Sequence, residues 1–162
     1  MYRSKFILFF LVFLCAGQAL AGVVSLAEVK GWQASPADFL HYRSAYGRAF
    51  YITRVYQRDG ARIQLFLAGG AEGEKFQHLL SGRLEVETKD YFLKYFQDGN
   101  YRLLISHSRP EKKGFMAVFL NEKPVIILFA RYQGLSAEEI RTWLKHFDWD
   151  RLKQEALAEL KD

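Results

Sequence analysis

Apolar residues along this chain first run unbroken, then recur at helical spacing, then alternate. Phe6 to Gly17 carries no polar side chain. Phe39, Tyr42 and Tyr46 follow Ser35-Pro36-Ala37-Asp38, which supplies a capping hydroxyl, a proline at the first helical position and an acid in the first turn. With Gly47 able to close the last turn, this spacing predicts a helix over residues 36–46. From Ala49 the period drops to two. The stretch "AFYITRVYQRDGARIQLFL" reads as two strands around Asp59-Gly60, a dipeptide that tolerates the positive φ of tight hairpins. Ile63, Leu65 and Leu67 then face one way, and Arg62, Gln64 and Phe66 the other.

A glycine-rich break, "AGGAEG", leads into a short helical pattern carrying Phe76, Leu79 and Leu80, which Gly82 can end. Two strand pairs follow. "RLEVETKDYFLKYFQ" and "YRLLISHS" turn at Asp98-Gly99-Asn100; "GFMAVFL" and "VIILFAR" turn at Asn121-Glu122-Lys123-Pro124. The last two are apolar on both faces, as strands covered on both sides are. Ser136-Ala137-Glu138-Glu139 is a capping box, and Ile140, Trp143, Leu144 and Phe147 form a helical stripe behind it. Asp148 or Asp150 caps a final helix with Leu152, Ala156 and Leu160 on one side. The expected fold class is α+β: an antiparallel sheet of about six strands with helices on both faces, an α-β-α sandwich. The layout resembles small α-β-α sandwiches that serve mostly as non-catalytic assembly or binding modules, a likeness of architecture that no motif residue carries.

The opening apolar run changes where this domain is expected to work. Arg3 and Lys5 precede it and Ala19-Leu20-Ala21 follows it, the three parts of a secretory signal peptide. Cleavage before Gly22 divides the chain into a leader, 1–21, and one α+β domain, 22–162. A retained membrane anchor is the rival reading, since Val23, Val24, Leu26 and Ala27 lengthen the apolar stretch. Lipid attachment at Cys15 is disfavoured by the bulky Leu14 before it. The leader takes the only cysteine with it, and no N-x-[ST] acceptor occurs, which points to a periplasmic or secreted protein of a bacterial envelope. A domain of about 140 residues can bury a core without disulfides.

Charge adds one exclusion. The 23 Lys and Arg exceed the 18 Asp and Glu by five, and loss of Arg3 and Lys5 leaves +3. The basic residues are scattered, with no stripe of the kind nucleic acid requires. Candidate chemistry is sparse. The glycine-rich break lacks a G-K-[ST] ending, and Glu72 and Glu74 occupy the place a phosphate needs, so it reads as a flexible connector. His41, His78, His107 and His146 have no metal-ligand spacing, and neither a metal nor another cofactor is expected. His107 falls on the face of Tyr101, Leu103 and Ile105, away from Ser106 and Ser108, and reads as a strand-end histidine partly in solvent rather than half of a dyad. Glu85 and Glu87 share a face of an open strand and do not flank a cleft.

What remains is the aromatic hairpin "DYFLKYFQDGNYRLL". Tyr91, Leu93 and Tyr95, with Tyr101 across the turn, are the expected groove for a ligand or partner, while Phe92 and Phe96 enter the core. The sequence thus predicts an exported, non-catalytic binding or protein-interaction domain whose partner is an envelope protein. A carrier of a small lipid-like or aromatic ligand is the second reading and a small hydrolase the third. Contact with a membrane is expected only through an uncleaved leader.

Overall fold

The computed structural model describes residues 24–161, so the expected leader and the expected cleavage before Gly22 lie outside the described residues. The described residues form nine strands: β1 (Gln33–Ala34), β2 (Asp38–Ser44), β3 (Gly47–Arg58), β4 (Ala61–Gly70), β5 (Val86–Glu87), β6 (Tyr91–Asp98), β7 (Tyr101–Ser108), β8 (Lys113–Glu122) and β9 (Val125–Gln133). Four helices accompany them: α1 (Ala71–Glu74), α2 (Gln77–Ser81), α3 (Ala137–Leu144) and α4 (Trp149–Glu159). All nine strands belong to one antiparallel sheet in the order β1-β3-β4-β9-β8-β7-β6-β5, with β2 pairing β3 beside β1.

The hairpins follow from their turn residues. Asp59 and Gly60 both take positive φ, 48° and 80°, and so supply the reversal whose twist matches β3 and β4. Period two then sorts the side chains. One row on the first face runs Ile52, Leu67, Leu128, Val118, Leu103 and Phe96 across β3, β4, β9, β8, β7 and β6. The adjacent row points to the other face: Thr53, Phe66, Phe129, Ala117, Leu104 and Tyr95.

The first face is the core. Ile140, Trp143 and Leu144 of α3, with Phe147 beyond it, pack there beside Leu152 and Ala156 of α4. Val24, Leu26 and Val29 close the margin, and the Tyr56 hydroxyl donates to the carbonyl of Ala27 at 2.7 Å. Trp143 meets Tyr56, Phe147 and Trp32 with ring centroids 4.9, 5.2 and 5.7 Å away. Each fully buried large apolar side chain of this face is worth about 1.5–3 kcal/mol. The capping box on α3 is complete, with Ser136 and Glu139 satisfying each other's backbone amides, and Asp148 caps α4.

The second face departs from the predicted sandwich. The fold is a nine-stranded sheet, 49% strand against 20% helix, rather than six strands between two helical layers. Residues 36–46, expected as a helix, are mostly β2 instead, paired with β3 from Asp38–Thr53 to Ser44–Gly47. The Ser35 hydroxyl, expected to cap that helix, accepts from the amide of Val55 on the sheet. Tertiary pairing with a long neighbouring strand outweighed a local helix signal. That leaves only α1 and α2, of four and five residues, over the second face. The glycine-rich break is packed rather than a flexible connector. Gly73 is buried against the carbonyl of Val125, where a Cβ would collide.

Candidate functional site

The aromatic hairpin is split by the sheet. Tyr91, Leu93 and Tyr95 project from the second face, and Tyr101 projects from the core face. The Tyr101 hydroxyl donates to the Asp150 carboxylate and its ring stands edge-on to Trp149 at 5.6 Å. Burial and that carboxylate push its pKa up to about 12. Tyr95 lies under α2: its hydroxyl donates to the Leu79 carbonyl at 2.9 Å, and the Arg102 guanidinium sits 4.3 Å from its ring centroid. Arg102 in turn donates to the carbonyls of Leu80 and Gly82, clamping the helix down. Tyr91 is 38% exposed and shares a hydrogen bond with Ser106 at 2.9 Å. Leu93 packs into the small cluster beneath α2. Phe92 and Phe96 pack against the core from the other side.

His107 is buried, with 4% of its surface exposed, and not partly in solvent as its strand-end position suggested. Its Nδ1 lies 3.0 Å from the Tyr132 hydroxyl and its ring stacks on Tyr132. Burial, and secondarily the charge of Arg109, hold its pKa below the ordinary 6.5. Ser106 is on the opposite face, bonded to Tyr91, and Ser108 donates to Glu111. Among the described residues, then, neither neighbouring serine faces this imidazole, and the hydroxyl that does is that of Tyr132. Glu87 bridges Lys94 and Arg109, which hold its carboxyl below the usual range. Among the described residues no group of three or more His, Cys, Asp or Glu could hold a metal ion, and no helix is long and apolar enough to cross a membrane.

The open part of the second face forms a different site. Over β4, β9 and β8 lies a groove of about 860 Å³, lined by Arg62, Gln64 and Phe66, by Phe129, Arg131 and Gln133, by Lys113 and Phe115, and by Phe76 between α1 and α2. Antiparallel register sets these side chains in rows. Arg62 stands beside Gln133, which stands beside Lys113; Gln64 beside Arg131, which stands beside Phe115; Phe66 beside Phe129. The groove is thus cationic at the Asp59-Gly60 end and aromatic toward α1 and α2. Phe129 is the hub, with Phe115 stacked at 5.3 Å, Phe76 at 5.5 Å and Phe66 at 6.2 Å.

The charges are unevenly compensated. Lys113 pairs with Glu111 at 2.6 Å. Arg62 and Arg131 are exposed, and among the described residues they have no side-chain partner and no carboxylate lines the groove. A large aromatic floor left open under two unpaired guanidinium groups can hold an apolar body with an anionic edge. The sequence does carry a signal for it. Arg62-x-Gln64-x-Phe66 and Phe129-x-Arg131-x-Gln133 run in opposite chain directions with the same polar-to-aromatic gradient. The gradient became one surface only because β9 lies beside β4, which sequence order does not reveal.

No family model, no curated protein and no solved structure matches this chain.

Proposed function

We propose that this protein is an exported, non-catalytic binding domain, residues 22–162, that works in the bacterial envelope and recognises a partner through the groove on β4, β9 and β8. The observation that carries this reading is the cluster of Phe66, Phe115 and Phe129 left open between Arg62 and Arg131. These rings are only half-buried where full burial in the molecule's own core would have been worth kilocalories, and apolar surface left accessible within a polar rim marks an interaction surface. An open groove on a rigid sheet suits a partner's surface better than a carried ligand, which needs most of its surface enclosed. Export is supported by the charged start, apolar run and A-x-A ending of residues 1–21.

Site-specific photocrosslinking in the native envelope tests the reading. A benzoylphenylalanine at Gln64, inside the groove, is expected to give a discrete adduct, while one at Gln154, exposed on α4, gives none. Equal labelling at both positions, or none at either, overturns it.

A further inference from the structure

Resting on that reading, we infer that the occupant is an extended acidic segment of a partner protein, carrying an aromatic or branched apolar side chain next to its carboxylates. Its ring or branched side chain packs on Phe66, Phe115 and Phe129, and its carboxylates meet Arg62 and Arg131. Three observations lead there. The first is charge complementarity: the two guanidinium groups lack side-chain partners among the described residues and no carboxylate lines the groove, so an anion completes it. The second is position. The groove lies over β4, β9 and β8, whose backbones are paired on both sides, so an added strand has no edge to join and recognition runs through side chains. Gln64 and Gln133 lie between the charged groups and offer amide donors and acceptors to a peptide backbone. The third is openness. An acyl chain laid on this floor would keep much of its surface in water, whereas a single side chain of a peptide covers the three rings and leaves the rest of the segment solvated.

The test is selection of a random linear-peptide library on protein purified after expression of the full chain. Two comparison proteins are used, Arg62→Glu/Arg131→Glu and the milder Arg62→Gln/Arg131→Gln, each checked by circular dichroism and denaturation midpoint. Enriched peptides should place Asp or Glu beside Phe, Trp, Leu or Ile. Their affinity should fall roughly 100-fold on charge reversal, less on neutralisation, and should weaken as sodium chloride is raised. Peptides without acidic residues, affinity indifferent to both variants, or no enrichment at all overturn the inference. So does retention on phosphatidylglycerol vesicles, lost on charge reversal, in a chain that enriches no peptide; that result assigns the groove to an anionic lipid. The crosslink at Gln64 separates the two claims. If it forms while selected peptides are neutral, the groove still binds and only the acidic partner is wrong.

Discussion

The two faces of this sheet are built from the same six strands with the same alternation, yet they end differently. On one face every row meets α3, α4 or the segment around Val24–Val29, and the large side chains are almost wholly buried. On the other, α1 and α2 pack over Leu104 and Tyr95, at one end of the row that holds Phe66 and Phe129, and the covering stops at Phe76. The aromatic residues beyond that point are no less apolar than those of the core. What differs is the polar residue two positions along each strand: Leu65 and Ala130 continue the core rows, while Gln64 and Arg131 interrupt the open ones. A face is closed where its rows stay apolar to the end, and a site appears where the apolar row gives way to unpaired charge.

The largest expected effect lies on the closed face. Trp143→Ala should lower stability by about 3–5 kcal/mol in urea denaturation, because three aromatic neighbours lose their contact at once. A midpoint that does not move would mean the two faces are equally dispensable. Next comes the covered part of the open face. Tyr95→Ala removes a half-buried ring and its bond to Leu79, and about 2 kcal/mol is expected, whereas Tyr91→Ala, nearer the surface, should cost less than half of that. Equal losses would erase the boundary drawn at α2. Ser136→Ala breaks the capping box of α3 and should cost about 1 kcal/mol, read as a fall in melting temperature.

A pH experiment separates the faces by chemistry. His107 is held below its ordinary pKa on the core face, so the unfolded chain takes up a proton before the folded one does. Its contribution is complete above pH 6.5 and is lost as pH falls below that value toward the lowered folded pKa. Denaturation midpoints should therefore drop between about pH 7.5 and 5.5, and His107→Gln should flatten that slope. An unchanged slope in the variant would place the titration elsewhere. The smallest effect belongs to the groove rim. Arg62→Ala and Arg131→Ala should each stay within about 0.5 kcal/mol of the parent while weakening partner binding.

Local signals were strong enough to read most of the elements directly. Asp59-Gly60 fixed a hairpin, Ser136-x-x-Glu139 a helix start, and the stripe ending at Phe147 a buried helix. Residues 36–46 misled because Ser35-Pro36 and an aromatic spacing satisfied helix rules that hold for isolated segments, while the edge of β3 offered a longer ladder. The tyrosines of the hairpin were legible as to parity but not as to cover: nothing in their spacing announces that Arg102 would pin α2 over Tyr95 or that Asp150 would reach Tyr101. The groove was the least legible part, since its halves lie more than sixty residues apart in the chain and meet through one strand pairing.

That pairing has a consequence in time. β2 to β4 and β6 to β9 are each runs of neighbours in sequence, closed by short turns, and such contacts form early. The β4–β9 contact between them closes a long loop and is expected to form late, and Phe66 and Phe129 face each other across it. On that order the floor of the groove would not exist until the last seam of the sheet shuts. In stopped-flow refolding, a labelled peptide that binds there should gain its signal only with the slowest phase. If the proposed partner binds at this seam, it draws on the finished chain alone, and in excess over its dissociation constant it would hold the seam shut and act as an inspector of completed molecules.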